Sequence, residues 1–392
     1  MSKLFEQVIE RRGTASMKWD MLKERFGAED LWPMWVADMD FRAPQAVLDA
    51  LKEKVDHGIF GYPAHSKSVD EAVQNWLARR YQWKVNSSAF IYTPGVVPTL
   101  SNIIKAFTEK QDEVVIQTPV YYPFYDVIKK NERDLVRNPL VFDGKQYKMD
   151  LEHLESVITD KTKMIILCHP HNPGGRVWTR EELELLAAVC KRHDLLVISD
   201  EIHADLLYEG HVHVPLASIN DDMANRTFTC LAPSKTFNLA GIQTSYVVVE
   251  NDELRTKLKN FLASTFMNST NSFAEVATEA AYRYGEEWLD ELMSYVQKNY
   301  DMVSEFLKEN MPKIRPIEPE GTYLLWLDCS ELGLSAAERK NWLIKDAQVA
   351  LNHGPMFGEE GKEFERMNLA CPSSILKEGL NRMKVAYERQ GF

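Results

Sequence analysis

Short apolar runs alternate with helical patterns between residues 89 and 250. The runs cover 89–92, 113–117, 163–168, 195–199, 227–231 and 245–249, and the helical patterns lie near 99–109, 150–158 and 180–193. Buried strands that alternate with helices are typical of a mostly parallel sheet covered on both faces. The pattern therefore predicts an α/β fold in which ligands bind at the carboxyl ends of the strands.

The flanking segments predict a second, smaller unit. A helix is expected after Pro44, with Gly58 at its end, and another near 67–82. Long amphipathic helices are expected over 252–310. They precede strands near 322–327 and 366–369 and a closing helix near 374–389. We therefore predict a large domain over 45–287 and a small domain that combines the arm 1–44 with 288–392.

Composition and charge narrow the class of protein. The 392 residues carry a formal net charge of −12, which argues against a nucleic-acid partner or an anionic membrane surface. No stretch approaches 18 uninterrupted apolar residues, and the first residues lack the apolar core of a secretory signal. Five scattered cysteines without a C-x-x-C pair fit reduced thiols. These observations predict a cytoplasmic protein.

Lys235 is the first candidate for chemistry. It lies in A-P-S-K-T-F-N-L-A-G, residues 232–241, just after a predicted buried strand. A lysine must lose its proton to attack a carbonyl, and removal from water lowers its pKa. Taken alone, an S-K pair lies more often in a surface loop than at a reactive site.

Two polar segments follow other predicted strands. Asp200 ends the apolar part of V-I-S-D-E-I-H, where a carboxylate could keep a pyridine nitrogen protonated; a solvated acid or a helix cap is the alternative. Asn172, within H-P-H-N-P-G-G, could donate to a phenolate oxygen. His169 and His171 raise the question of a metal, but no cysteine or acidic ligand lies at matching spacing, so no metal is predicted.

Three weaker signals complete the set of candidates. In T-P-G-V-V-P-T-L, residues 93–100, a glycine precedes a predicted helix start, whose free N–H groups could hold a phosphate. In T-P-V-Y-Y-P-F, Tyr121 or Tyr122 could stack on a flat ring. Arg366 suits a substrate carboxylate, although a structural ion pair is equally compatible with the sequence.

The order of these motifs along the chain resembles that of fold-type I pyridoxal phosphate (PLP) enzymes, in the class I/II aminotransferase family. The closer resemblance is to its MalY/PatB branch of cystathionine β-lyases and related C–S lyases. It is carried by P-M-W-V-A-D-M-D-F (33–41), F-G-Y-P (60–63), S-D-E-I-H-A-D-L (199–206) and S-K-T-F-N-L-A-G (234–241). The resemblance implies the aspartate aminotransferase-like fold, with a mostly parallel sheet in a large domain and a smaller α/β domain.

The resemblance also implies roles for individual residues. Lys235 would carry PLP as a Schiff base, with Asp200 opposite the pyridine nitrogen and Asn172 near the ring oxygen. Tyr121 would lie over the ring, and Arg366 would bind the substrate carboxylate together with Asn172 and Tyr121. The remaining expected cofactor contacts are Gly95, Val96, Val97, His203, Ser234 and Tyr62.

Two positions depart from the aminotransferase pattern. His203 replaces a common tyrosine, and Gln243 replaces an arginine that binds the phosphate, so that Ser234 could supply one phosphate contact. Tyr62 would reach the phosphate of a neighbouring subunit, which implies a homodimer with shared sites.

The implied activity is α,β-elimination from a sulfur amino acid. Cystathionine is the first substrate expected, and cysteine or other S-conjugates come next; the products would be a thiol, pyruvate and ammonia. An aminotransferase is the alternative. A PLP-sensing regulator is disfavoured, because the 44-residue arm is too short for a DNA-binding domain and lacks a basic helix-turn-helix pattern.

Overall fold

A seven-stranded sheet forms the centre of the protein, for which a computed structural model describes residues 4–392. In spatial order the strands are Phe90–Thr93, Ser245–Val248, Thr227–Leu231, Leu196–Asp200, Thr162–Cys168, Glu113–Thr118 and Asp134–Pro139. Ser245–Val248 is antiparallel to both of its neighbours, and the other pairings are parallel. The prediction of a mostly parallel sheet is confirmed.

Both faces of this sheet are covered, as the continuous apolar runs predict. Successive residues of a strand point to opposite faces. Met164 and Ile166 accordingly pack in one buried cluster, while Ile165 and Leu167 pack in another. With water excluded from both faces, the polar ends of the strands are the positions left for a ligand.

Helices surround the sheet and extend toward the C-terminus. The helices are Met17–Asp20, Leu22–Phe26, Gln45–His57, Lys67–Tyr81, Val96–Phe107, Pro123–Lys129, Leu151–Val157, Arg180–Arg192, Asp221–Arg226, Pro233–Thr236, Asp252–Ser264, Ser272–Tyr284, Glu286–Asn310, Ala336–Asn341 and Ser373–Gln390. Gly58 ends the first long helix at φ +74°, a left-handed conformation that suits glycine. Within residues 4–392, no helix is long and apolar enough to span a membrane.

A second, smaller sheet is antiparallel throughout. Its strands, in order, are Arg315–Pro316, Leu324–Asp328, Phe364–Asn368 and Asn352–His353. Two short pairs complete the strands: Trp32–Pro33 with Val349–Ala350, and Val141–Phe142 with Tyr147–Lys148. The first of these pairs joins the N-terminal arm to the C-terminal part of the chain.

The local structure differs from the sequence expectations at several places. The strand Asp134–Pro139, at the edge of the large sheet, was not predicted. The helix expected from residue 99 begins at Val96. The arm, in which the sequence shows little regular pattern, contains two short helices and one strand. The proposed boundary at 287/288 falls in the first turn of Glu286–Asn310; the division into domains stays a prediction, and residues 1–3 of the arm lie outside the described residues.

Candidate active site

Asp200 lies at the carboxyl end of the central strand Leu196–Asp200, between Cys168 and Cys230 of the neighbouring strands. Its carboxyl group is buried and accepts a hydrogen bond from the backbone N–H of Ile202, at 3.2 Å. Burial raises the pKa of Asp200 to about 7, and the nearby Lys235 ammonium opposes this rise. A positive group beside Asp200 would be bound strongly, because it stabilises the ionised carboxylate that burial disfavours.

Lys235 extends from the short helix Pro233–Thr236, which follows the adjacent strand Thr227–Leu231. Its Nζ donates a hydrogen bond of 2.5 Å to the backbone carbonyl of Ala37. Burial lowers the pKa of Lys235 to about 8, with an opposing contribution from Asp38. A useful fraction of this amine is therefore neutral, and nucleophilic, near physiological pH.

The lowered pKa predicts how Lys235 reacts in the cofactor-free protein. Trace acetylation, followed by mass spectrometry, should show half-maximal labelling of Lys235 near pH 8 rather than near 10.5. The labelled fraction should rise about tenfold from pH 7 to pH 9, because only the neutral amine reacts. Exposed Lys52, in the same digest, is the reference for the reagent. Half-maximal labelling of Lys235 above pH 10 would contradict the buried environment.

Arg366 is a buried cation on the strand Phe364–Asn368 of the small sheet. Its Nη1 donates to Oδ1 of Asn172 at 2.8 Å, and its Nη2 donates to Oδ1 of Asn352 at 2.6 Å. Its Nε has no partner, and within residues 4–392 no carboxylate forms an ion pair with it. Burial lowers its pKa to about 10. An unpaired buried guanidinium is costly, so this position favours an anionic ligand over the structural ion pair that the sequence left open.

The contact with Arg366 also orients Asn172. A guanidinium has only donors, so the Asn172 atom facing it must be the oxygen, and Nδ2 remains as the donor for a ligand. Tyr121 is tied to the same loop, since its N–H donates to the Asn172 carbonyl at 3.0 Å. Burial raises the pKa of Tyr121, whose electrostatic neighbours include Arg366 and Asp200. Tyr122 is more exposed and packs toward Phe357 instead, so the geometry favours Tyr121 for stacking.

The expected phosphate end lies at the start of Val96–Phe107. Gly95 is the N-cap, and the N–H groups of Val96 and Val97 fall in the first turn, where a helix offers them no acceptor. The hydroxyl of Thr93 lies 2.7 Å from that of Ser245 on the paired strand, which brings the segment of Gln243 alongside this turn. Ser234 is partly buried, and Gln243 is exposed. No hydrogen bond within residues 4–392 assigns either side chain a role.

His203 follows the strand Leu196–Asp200 and interacts electrostatically with Lys235. Its ring is buried and meets Tyr323 edge-on, with 6.3 Å between the ring centroids. Burial lowers its pKa to about 3, with Lys235 and Arg366 adding to the effect, so the ring is neutral. Its Nε2 has no partner in the described chain. For His169 and His171, the described residues contain no group of three or more potential ligands that could hold a metal.

The N-terminal arm contributes groups that motif reasoning missed. Besides Lys235, the Ala37 carbonyl accepts a bond of 3.1 Å from the Tyr323 hydroxyl. Asn238 bonds to the backbone of Met39 and Phe41, and Asn368 bonds to the carbonyls of Val36 and Asp38. We call Asn238 and Asn368 the arm asparagines. The phrase P-M-W-V-A-D-M-D-F marked the segment, but nothing in it signalled that a backbone carbonyl would face the lysine.

Tyr62 is the one predicted residue that lies apart. Its side chain is fully exposed in this chain, near Ile59 and Phe60, which are also exposed. Arg366 lies within the strand Phe364–Asn368 of the small sheet, and the other predicted residues lie at the carboxyl ends of the central strands or in the segments that follow them. They fit the cofactor that the resemblance implies: a lysine next to a buried acid, a helix start for a phosphate, and unpaired Nε atoms of Arg366 and His203 for an anion.

Comparisons with known proteins show that the similarity covers nearly the whole chain. The family model described as aminotransferase class I and II matches residues 34–383. Cystathionine beta-lyase PatB of Bacillus subtilis is 46% identical over 383 residues, which are 97% of this chain and 99% of that protein. The similarity therefore extends over the small sheet and the arm as well as the central sheet.

Solved structures show the same backbone. The PLP-bound putative aminotransferase from Clostridium difficile 630 matches with a TM-score of 0.96 and 44% identity, over 98% of this chain and 99% of that one. The PLP-bound C-S lyase from Staphylococcus hominis matches with a TM-score of 0.90 and 34% identity, over 97% of both chains. The fold class that the resemblance implied is confirmed.

Proposed function

Because the chain belongs to the aminotransferase class I and II family, we propose that it is a PLP-dependent carbon–sulfur lyase that cleaves cystathionine by α,β-elimination. The products are homocysteine, pyruvate and ammonia, and cysteine or other S-conjugates are further substrates. The observation that carries the proposal is the 46% identity to a cystathionine beta-lyase over 99% of that protein's length. The convergence of Lys235, Asp200 and Arg366 supports chemistry at the Cα of an amino acid.

Each of these side chains then has a task. When bound, PLP supplies an electron sink conjugated with the substrate Cα. Lys235 holds the cofactor and, once displaced by the substrate amine, removes the Cα proton as general base, for which a pKa of about 8 is suitable. Asp200 keeps a proton on the ring nitrogen. Arg366 and Asn172 bind the α-carboxylate, which orients the Cα–H bond toward the lysine.

Pyruvate release provides the direct test. The PLP-loaded protein is expected to release pyruvate and a free thiol from cystathionine in equal amounts, without any added keto acid. A Lys235→Ala protein, loaded in the same way, is the control for cofactor chemistry in solution. Absence of pyruvate with cystathionine, cysteine and S-conjugates would rule out the lyase.

Transamination is the second candidate, since a solved relative of 44% identity carries the name putative aminotransferase. It would share the proton removal by Lys235 but return the proton to the cofactor and keep the substrate side chain. Consumption of a keto acid together with an amino acid, without thiol release, would favour this candidate.

The proposal includes a cytoplasmic location and a homodimer with shared sites. All five cysteines are free and buried, which fits a reducing compartment. Tyr62, Ile59 and Phe60 are exposed apolar side chains on one segment, as a subunit interface would require. In the dimer, Tyr62 binds the phosphate in the partner subunit's site.

Hybrid dimers would test the shared site. Lys235→Ala and Tyr62→Ala proteins should each be impaired, the second through weaker cofactor binding. When the two are mixed and reassociated, half of the dimers should contain one intact site, which restores about a quarter of the wild-type sites. Titration of tightly bound PLP and pyruvate release measure this recovery. If the mixture shows only the sum of its two components, Tyr62 does not act across the interface.

A further inference from the structure

Glu201, the residue after Asp200, is a second buried carboxylate at this strand end. Its side chain is fully buried and accepts three hydrogen bonds. The hydroxyl of Ser199 donates to Oε1 at 2.7 Å, and the N–H of Leu216 donates to the same atom at 3.1 Å. Nε2 of His213 lies 2.7 Å from Oε2. The function proposed above uses Asp200 and leaves this neighbour without a task.

The hydrogen bonds indicate which group of this cluster carries charge. Burial lowers the pKa of His213 to about 3, so its ring is neutral; its Nε2–H donates a hydrogen bond to Glu201, while Nδ1 has no partner. Three donors on one carboxyl group match its ionised, acceptor-only form. Burial raises the pKa of Glu201 to about 7 against the effect of these donors. Above that pH, Glu201 is an anion.

The surroundings do not neutralise this anion. Asp200, Cys230 and Tyr246 face Glu201 from the sheet. His169 and His213 face it from the segments packed against it, and the Tyr81 ring lies edge-on to His213. The His169 ring stacks on His213 with 4.3 Å between centroids, and burial lowers its pKa to about 3 as well. No lysine or arginine within residues 4–392 forms an ion pair with Glu201. Its field therefore acts on its neighbours, and it raises the pKa of both Asp200 and Cys230.

We propose that Glu201 is a positioning residue that acts through Asp200 to hold the proton on the ring nitrogen of the cofactor. The inference rests on the function proposed above, in which Asp200 faces that nitrogen. A negative charge behind Asp200 increases the proton affinity of Asp200 and of the nitrogen together. The shared proton therefore stays on the pair at a higher pH than Asp200 alone would allow. Ser199, Leu216 and His213 keep Glu201 ionised without adding a positive charge.

The variant Glu201→Gln removes the charge and keeps the shape. The amide oxygen can accept from Ser199 and Leu216, and the amide N–H can donate to His213 once that ring exchanges its tautomer. The protein is loaded with PLP labelled with ¹⁵N in the ring, and the ¹⁵N chemical shift is followed against pH. We expect the pKa of the ring nitrogen to fall by about one unit, a tenfold loss in proton affinity.

Two companion variants separate charge from structure. Glu365→Gln alters another buried carboxylate, which is paired with Arg339 on the small sheet, and should leave the ring-nitrogen titration unchanged. Ser199→Ala removes one donor to Glu201 and should lower the ring-nitrogen pKa by a smaller amount, because Glu201 then becomes neutral at a higher pH. This variant serves as the test if Glu201→Gln does not fold.

The outcomes keep the two hypotheses apart. A wild-type titration curve in Glu201→Gln, or in Ser199→Ala if only that protein folds, overturns the role of Glu201 and leaves it a structural tie for the segment 213–216. Labelled PLP that fails to bind the wild-type protein would instead overturn the proposed function. A wild-type titration in Asp200→Asn would overturn the placement of Asp200 at the ring nitrogen, and with it the role of Glu201.

Discussion

Replacing Asp200 by asparagine is expected to reduce pyruvate release about a thousandfold while PLP remains bound. A neutral amide cannot hold a proton on the ring nitrogen, so the electron sink that stabilises the charge left on Cα is weakened. A loss of about 4 kcal/mol in the barrier corresponds to that factor. Single-turnover rates measure the effect, and the absorbance of bound PLP shows that the cofactor is retained.

Asp205→Asn is the matched control. Asp205 is also fully buried, and it accepts hydrogen bonds from Trp76 at 2.9 Å and Thr236 at 2.8 Å as well as from Tyr81. Its replacement should lower the free energy of unfolding by about 1–3 kcal/mol, because a buried network is broken, and change the rate far less. Near-normal elimination by Asp200→Asn would show that Asp200 does not support the sink.

Replacing Arg366 by methionine should raise KM for the substrate at least about a hundredfold, because a buried charge-assisted contact with the α-carboxylate is lost. The same change should alter the unfolding free energy of the substrate-free protein by less than about 1 kcal/mol. The reason is that removal of a buried, unpaired cation offsets the loss of its bonds to Asn172 and Asn352. Steady-state kinetics and denaturant unfolding measure the two effects.

Arg339→Met provides the contrast for stability. Arg339 is equally buried but donates to Glu365 at 2.8 Å, so its loss leaves a buried carboxylate without its cation. The expected cost is about 3 kcal/mol or more in unfolding free energy, with KM changed much less. If Arg366→Met destabilised the protein as strongly as Arg339→Met, Arg366 would be a structural residue rather than a ligand for the carboxylate.

The sequence predicted the central sheet well because its strands are apolar on both faces. The runs near 163–168 and 195–199 coincide with Thr162–Cys168 and Leu196–Asp200 to within one residue. The edge strand Asp134–Pro139 was missed because Asn138 is its one fully buried residue, and D-L-V-R-N-P shows little apolar pattern. Its place depends on pairing with Glu113–Thr118, a long-range contact that no local pattern encodes.

The candidate site was predictable where a motif ends a strand, as for Asp200, Lys235 and Asn172. What the motifs could not supply is which groups touch. The contact of Arg366 with Asn172 joins residues 194 positions apart, and that of Lys235 with Ala37 joins residues 198 positions apart. Both contacts depend on how the arm and the small sheet pack against the strand ends. Sequence reasoning alone also left Tyr121 and Tyr122 undecided, since adjacent residues differ only in the direction of their side chains.

The carbonyl of Ala37 faces Lys235 as a functional group without a side chain. Substitution at position 37 would leave that oxygen in the chain, so the group is robust to mutation of its own residue. The position of this carbonyl is instead sensitive to mutation of the arm asparagines. Asn238 and Asn368 hold the backbone on either side of Ala37. Asn238 follows the lysine by three residues, and Asn368 follows Arg366 by two. Substitution of either asparagine would therefore change the surroundings of the Lys235 amine, even if Lys235, Asp200 and Arg366 were all kept.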